Sequence, residues 1–319
     1  MCYSAQILQN YNKYVRLWGA DVDLDEFMRL YWDRSQGEKL RIPKGMDATF
    51  ADPHNEIERR ISSLIESFDA AQAGALEQEI FKQRKRLADA ERKLAVKSTK
   101  AANESKRIAT DKVAWALGKL ADLRRTEPAA RDSRIYPGWY APVMISENGR
   151  RVIKPMRYQC RPAGKPAFYD TKYPGCYNAR RDSLEKFWKG QYGISHGLVV
   201  MNAFYENVSR HRIEGRELQS GEADENVVLE FRPLHGQDML VACLWSHWQG
   251  NGQSDLLSFA AITDQPPPEV AAAGHDRCII PIKPQNIDAW LNPQADDLAT
   301  QSAILDDRER PFYEHRMAA

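Results

Sequence analysis

Loss of Met1 from this chain would expose Cys2 as a first residue carrying an α-amine and a thiol on adjacent carbons. That pair traps aldehydes: the amine condenses with the carbonyl to an imine, the thiol adds to the imine carbon, and a five-membered thiazolidine closes. Ordinary pKa values of roughly 8 for the amine and about 8.5 for the thiol leave a usable fraction of each deprotonated near neutrality. The reaction also needs proton transfer, and three distant segments carry suitable groups. Cys176-Tyr177-Asn178-Ala179-Arg180-Arg181-Asp182-Ser183 sets an amide and two guanidiniums ahead of an expected helix, where backbone N–H groups and cations cradle phosphate. The apolar strand from Leu198 ends in Glu206, whose desolvation would raise its pKa and suit it to acid–base work. Gly274-His275-Asp276-Arg277-Cys278 places an imidazole, a carboxylate and a guanidinium at the mouth of another strand. Each group also has a structural reading: Asn178 as a helix cap, Glu206 as a solvated strand-end charge, His275 as a satisfied core residue.

The elements that must position these groups change character twice. Between residues 4 and 34, Ile7, Leu8, Tyr11, Tyr14, Val15 and Trp18, and then Leu24, Phe27, Met28, Leu30 and Tyr31, suggest two helices packed on a core. From Asp52 to Arg131 apolar residues recur at spacings of three, four and seven without an internal turn cluster, which predicts one long helix or a helical hairpin bounded by Asp52-Pro53 and Glu127-Pro128. Short β runs follow. Ala141 to Ser146 and Arg151 to Lys154 flank Glu147-Asn148-Gly149-Arg150, a hairpin signal because Asn-Gly tolerates positive φ. Further runs lie at 197–205, 227–231, 239–245, 257–263 and 278–282, interrupted by two expected helices at 183–189 and 284–291. Strands in series with few helices predict an α+β fold: a curled, mostly antiparallel sheet or barrel with peripheral helices and a long helical insertion. The segments 1–51 and 132–293 then make a catalytic domain, 52–131 the insertion, and 294–319 a loosely docked tail.

Bulk properties narrow the function classes. The 319 residues carry 45 Lys and Arg against 44 Asp and Glu, so no overall field advertises nucleic acid. The charge is local instead: between Lys82 and Arg131 there are fifteen basic and six acidic residues. That segment could contact DNA or protein, form a coiled-coil seam, or present a solvated face. Five cysteines, odd in number and lacking a CxxC pair, read as reduced thiols rather than a disulfide frame or zinc site. No metal or cofactor is expected. No apolar run suggests a membrane span or signal peptide, which places the protein in the cytoplasm.

The ordered set of segments resembles the SOS-response-associated peptidase family, whose members cap abasic sites in single-stranded DNA through an N-terminal cysteine. The resemblance rests on Met1-Cys2; on Lys154-Pro155-Met156-Arg157-Tyr158, where the family usually reads Pro-Met-Arg-Trp; on Asn178-Ala179-Arg180; on Ala203-Phe204-Tyr205-Glu206; on Leu244-Trp245; and on His275-Asp276-Arg277. It implies that Cys2 is the nucleophile, freed by self-cleavage or by an aminopeptidase, and that Asn178 holds the new terminus and the opened sugar. By the same resemblance Glu206 shuttles protons and His275 stabilises the developing hydroxyl. Arg180 and Arg277 grip flanking phosphates, Tyr158 stacks on a base, and Arg157 and His196 join the DNA surface. The chain departs from the family where Cys-Gly-Arg-Phe becomes Cys2-Tyr3-Ser4-Ala5, where His196 replaces an Arg, and where Asn202 replaces an Asp. Bound to damaged DNA, such a protein would be nucleoid-associated.

Two other classes fit parts of the sequence. An N-terminal-nucleophile amidohydrolase would also expose Cys2 but needs layered helices between long strands, and the helices after Arg131 are too few. A non-enzymatic interaction protein would act through the helical segment and leave Cys2 unused.

Overall fold

A computed structural model describes residues 3–250 and 252–318. The chain folds as two compact units, one of residues 31–38 and 53–129 and one of the remainder.

In the larger unit, twelve strands form one sheet that closes on itself. The chain begins with β1 (Ser4–Ile7), α1 (Tyr11–Trp18), β2 (Asp21–Val22), α2 (Leu24–Ser35) and the short α3 (Lys44–Asp47). The first apolar stretch, expected as a single helix, is therefore a strand followed by a helix. The side chain of Asn10 caps α1 by accepting from the N–H of Asn12, so the helix cannot start at Ile7.

β3 (Arg134–Ile135) pairs with β1, and β4 (Tyr140–Glu147) turns back into β5 (Arg150–Tyr158) through Asn148 and Gly149, with φ of 51° and 74°. Two successive positive φ angles make the mirror-image turn that matches strand twist, as the Asn-Gly pair predicts. Pro142 faces Pro155 across this hairpin. Neither can donate to the ladder, and β4 meets the next barrel strand through Met144 and Leu198. The remaining strands are β6 (Asn178–Arg180), β7 (His196–Ser209), β8 (Asn226–Pro233), β9 (Met239–Gly250), β10 (Gln253–Asp264), β11 (Cys278–Ile279) and β12 (Tyr313–Met317). Following the pairs β5–β4–β7–β9–β10 and back to β5 closes a barrel of 5 strands. Most pairs are antiparallel, while β10 runs parallel to β5 and β6, and β2 parallel to β5. The α+β barrel read from the sequence is thus the observed architecture. Val143, Val199, Met201, Phe204, Phe231, Val241, Phe259 and Ala261 fill its core.

Two expectations change. The segment 183–189 is not an α-helix but a 3-10 turn, Arg181–Ser183, running into further turns. The tail is not loose: Ile304 and Leu305 are buried on a helix spanning Leu298–Asp306, and β12 pairs along β8 from Tyr313 opposite Pro233 to Met317 opposite Leu229. Tyr313 meets Phe204 edge-on at 5.2 Å, so the last strand contributes to the core.

The smaller unit is a helical hairpin, one of the two forms the periodicity allowed. α4 (Glu56–Val96) and α5 (Lys100–Arg124) pack antiparallel. Asn55 caps the first by accepting from Glu58 N–H, and Thr99 caps the second by accepting from Ala102 N–H. The break falls at Lys97-Ser98-Thr99, whose signal is the Thr cap rather than a Gly or Pro. Ala102, Ala109 and Ala116 recur every seventh residue and are buried, which lets the helices approach closely.

Truncating the chain after Pro311 removes β12 and the Tyr313 anchor. The midpoint of urea unfolding should fall by an amount equivalent to about 3–5 kcal/mol, as for loss of a large buried aromatic. An unchanged midpoint would restore the reading of a dispensable tail.

Candidate active site

Glu206 lies on β7 between Phe204 and Val208, which share its side of the strand and belong to the core. Its carboxyl is therefore almost wholly removed from water, at 1% exposure. The partner arrives from the turn before β11. Gly274 there has a φ of +91°, and a Cβ on it would come within 2.8 Å of Val208 Cγ1, so glycine allows the turn to close on β7. The next residue, His275, then sets its Nε2 3.1 Å from Glu206 Oε2.

The protons of this pair follow from their surroundings. His275 Nδ1 is 3.0 Å from the Arg277 carbonyl oxygen and 3.3 Å from the Arg277 backbone N. If Nδ1–H donates to the carbonyl, Nε2 is a lone pair, and the contact with Glu206 is a hydrogen bond only when the carboxyl is protonated and donates. If Nδ1 instead accepts from the backbone N–H, then Nε2–H donates to a carboxylate. Desolvation pushes Glu206 from its ordinary 4.5 up to about 8. Burial likewise lowers His275 below its usual 6.5. At neutral pH both directions favour a neutral acid against a neutral imidazole, and the alternative tautomer is available once the proton leaves.

β1 runs antiparallel to β7 with Ser4 opposite Tyr205. One residue earlier, the backbone amide of Tyr3 lies near enough to Glu206 to lower its pKa, a small opposition to the desolvation. The Tyr3 ring is half-exposed and meets the rings of Tyr136 at 5.9 Å and Tyr177 at 6.3 Å. Tyr177 precedes Asn178, which is buried at the start of β6 and pairs with Ala261 on β10. Tyr3 therefore links the approach to Asn178 with the Glu206–His275 pair. Cys2 itself lies outside the described residues. The four described cysteines, 160, 176, 243 and 278, are free and buried. Desolvation raises all four thiols, Cys176 to about 11 and Cys160 to about 12, which leaves them poor nucleophiles.

The expected DNA contacts divide. Arg180 is half-exposed and forks onto Asp182 at 3.1 and 2.7 Å, a pair that water screens and a phosphate could displace. It stands at the end of β6, so the expected helix-start cradle is not there. Arg277 is largely covered, with Asp276 3.6 Å away. Arg157 is committed to Asp170 at 2.9 Å and to the Gln159 carbonyl, and Arg161 forks onto the same carboxylate. Tyr158 and His196 require correction. Tyr158 is fully buried between Tyr177 and Phe259 and presents no face to a base. His196 accepts from Gly193 N–H at 2.8 Å, so its Nδ1–H donates to the Trp290 carbonyl at 3.0 Å, and the ring stacks on Trp290. Desolvation drives its pKa down to about 3, which makes it a neutral core residue rather than a phosphate ligand.

Arg134 has no sequence motif to announce it. Its Nε and Nη2 donate to Ser4 Oγ at 3.1 and 3.0 Å, and its guanidinium lies 3.7 Å from the centre of the Tyr205 ring. A cation thus stands beside the first described residues, where the chain lacks an Arg of its own. Among the described residues no His, Cys, Asp and Glu cluster could hold a metal, and no helix is long and apolar enough to cross a membrane.

A closed barrel with a buried acid–imidazole pair beside the strand that β1 pairs along defines an α+β barrel protein. The profile of the family described as SOS response associated peptidase (SRAP) matches residues 85–317, well over half of the chain, and the protein belongs to that family. The matched span includes Asn178, Glu206 and His275 and does not reach Cys2. Similar solved structures include a protein from Bordetella bronchiseptica (16% identity, TM-score 0.46, covering 59% of this chain and 87% of that one). Others are a protein from Bacteroides thetaiotaomicron (13%, 0.46, 59% and 78%) and a phage-related protein from Bordetella bronchiseptica (17%, 0.44, 61% and 85%). No curated protein matches the chain.

The raised carboxyl has a consequence for stability. The folded protein holds the Glu206 proton to higher pH than the unfolded chain does, so this contribution is full below about 4.5 and is lost as pH rises to about 8. Glu206→Gln stays neutral throughout. Its melting temperature should gain on the native protein's between pH 5 and pH 8, to be followed by calorimetry across roughly that window. A constant difference would mean that Glu206 is ionised over the whole range.

Proposed function

We propose that the protein captures abasic sites in single-stranded DNA as a thiazolidine through Cys2, after removal of Met1. The observation that carries this reading is the buried Glu206–His275 pair, 3.1 Å apart, on the strand that β1 pairs along from Ser4 opposite Tyr205, two residues after the aminothiol. Burial of the other four cysteines supports Cys2 as the reactive thiol.

An abasic deoxyribose is a masked aldehyde. Ring opening moves the anomeric hydroxyl proton to a base while an acid protonates the ring oxygen, and the neutral Glu206 carboxyl is suited to the second task. The deprotonated amine adds to the aldehyde carbon. A proton from the Glu206–His275 pair lets the resulting hydroxyl leave as water, with His275 stabilising that hydroxyl as it develops. The iminium nitrogen returns that proton to the pair, the thiol sulfur bonds to the imine carbon, the thiol proton passes to the nitrogen, and the ring closes with one water released. Asn178 holds the terminus and the opened sugar. Arg180 and Arg277 take flanking phosphates, with Arg134 as a further phosphate ligand beside Ser4. Tyr3 and Tyr136 supply the aromatic surface that buried Tyr158 does not. Autonomous cleavage after Met1 would be the peptidase step of the same site.

Purified protein mixed with a single-stranded oligonucleotide bearing one abasic site should give a shifted band on a denaturing gel. Cys2→Ala, or an uncut tag ahead of Met1, should abolish that band. Turnover of a small amide without a band would favour an amidohydrolase instead. Glu206→Gln should slow band formation by roughly 10²-fold while leaving the affinity for undamaged single strands unchanged. Parallel loss of both would make Glu206 structural.

A further inference from the structure

The helical hairpin carries a groove of about 660 Å³ near its tip, and its lining is chemically lopsided. The α4 wall presents four cations, Lys82, Lys85, Arg86 and Lys93, against one carboxylate, Asp89, whereas the α5 wall presents only small side chains, Ala101, Ala102 and Ser105. Arg86 Nε donates to Ser105 Oγ at 3.0 Å, which ties its guanidinium across the two helices.

The acidic residues nearby do not neutralise this wall. Asp89 pairs with Arg92, Glu91 with Lys106, Glu104 and Asp111 with Arg107, and Asp122 with Arg125. Lys82, Lys85 and Lys93 form no ion pair among the described residues. At 1.5 Å of rise per residue these cations form a ladder roughly 16 Å long on one side of the helix. Such a ladder suits a chain of phosphates better than a single anion.

Two large aromatic side chains lie at the height where the ladder begins. Ile80 of α4 packs with Ala116 of α5, so the adjoining Phe81 and Trp115 stand at the same height on the hairpin. Both are left to solvent, at 75% and 57% exposure. Phe81 shares a helix face with Lys85 at i+4, and Trp115 with Lys119 at i+4. Cations tracking a backbone beside exposed aromatic faces are the combination that holds single-stranded nucleic acid without sequence preference.

We infer that the hairpin groove is a second nucleic-acid site, binding the phosphodiester backbone of a single strand through Lys82, Lys85, Arg86 and Lys93 while Phe81 and Trp115 stack on its bases. The inference is independent of the aldehyde chemistry at Cys2, and undamaged DNA separates the two.

Binding of the full chain to a fluorescent, undamaged single-stranded oligonucleotide is measured by anisotropy over a salt series. The triple variant Lys82→Gln, Lys85→Gln, Lys93→Gln should bind about 10-fold more weakly, and its slope of log affinity against log salt should flatten by about 2, at roughly 0.7 per lost phosphate contact. The corresponding Lys→Arg triple should retain the native slope. Phe81→Ala with Trp115→Ala should erase the preference for single strand over duplex while leaving the slope intact. An unchanged slope in the Gln triple overturns the groove as a phosphate site. Equal binding of duplex and single strand by the native protein overturns the stacking role. Polyglutamate binding with the same sensitivity to the triple would reassign the groove to an acidic protein.

Discussion

A carboxyl on the core side of a barrel strand is the constraint around which the rest of this site is arranged. Glu206 occupies a position that alternation assigns to an apolar side chain, between Phe204 and Val208. An isolated carboxylate there would carry a large desolvation penalty. Protonation and the contact with His275 relieve it, and every neighbouring element serves that contact. Gly274 supplies the positive φ that brings the imidazole down, β11 anchors the segment behind it on β10, and β1 lays its opening residues along β7 beside the same carboxyl. Loosening any of these would admit water and return Glu206 towards an ordinary carboxylate. The proton available at Glu206, which the proposed ring opening would use, is therefore a product of packing.

Much of this was legible in the residues, though unevenly. Apolar runs and the Asn-Gly turn located the barrel strands because alternation and positive φ are local properties. The apolar part of Glu206's strand and the His275 segment were readable for the same reason, but the strand runs on to Ser209 and leaves Glu206 inside it rather than at its end. Long-range partners were not. His196 and His275 look alike in sequence, each just before or after a glycine at a strand mouth. What separates them is the company of the second nitrogen: backbone groups saturate His196, whereas a carboxyl from another strand meets His275. Tyr158 misled for a related reason, since its burial depends on Tyr177 and Phe259 from later strands. Arg134 was invisible because its value comes from Ser4 and Tyr205, more than seventy residues away on either side. The tail looked detachable on composition, yet Ile304, Leu305 and Tyr313 face inward, although Phe312 and Met317 stay exposed.

The near-zero net charge conceals a division of labour. The chain totals +1, and the stretch from Lys82 to Arg131 alone holds fifteen basic against six acidic residues, so everything else carries a net of eight negative charges. Residues 53–81, on the hairpin itself, hold two basic against six acidic residues, so the chain outside 53–131 carries a net of four negative charges, and its guanidiniums are largely spoken for. Asp170 holds Arg157 and Arg161; Asp264 and Asp306 hold Arg181; Asp264 also holds Arg308. Such pairs build the fold and leave few cations at the site to attract phosphate from a distance. On the proposed reading, long-range attraction to a nucleic acid, which grows with locally concentrated unpaired charge, would come chiefly from the hairpin. The proposed chemistry and the proposed attraction would then fall to different parts of one chain: a dry acid–imidazole pair in the barrel, and a screened, salt-sensitive ladder of lysines on the helices.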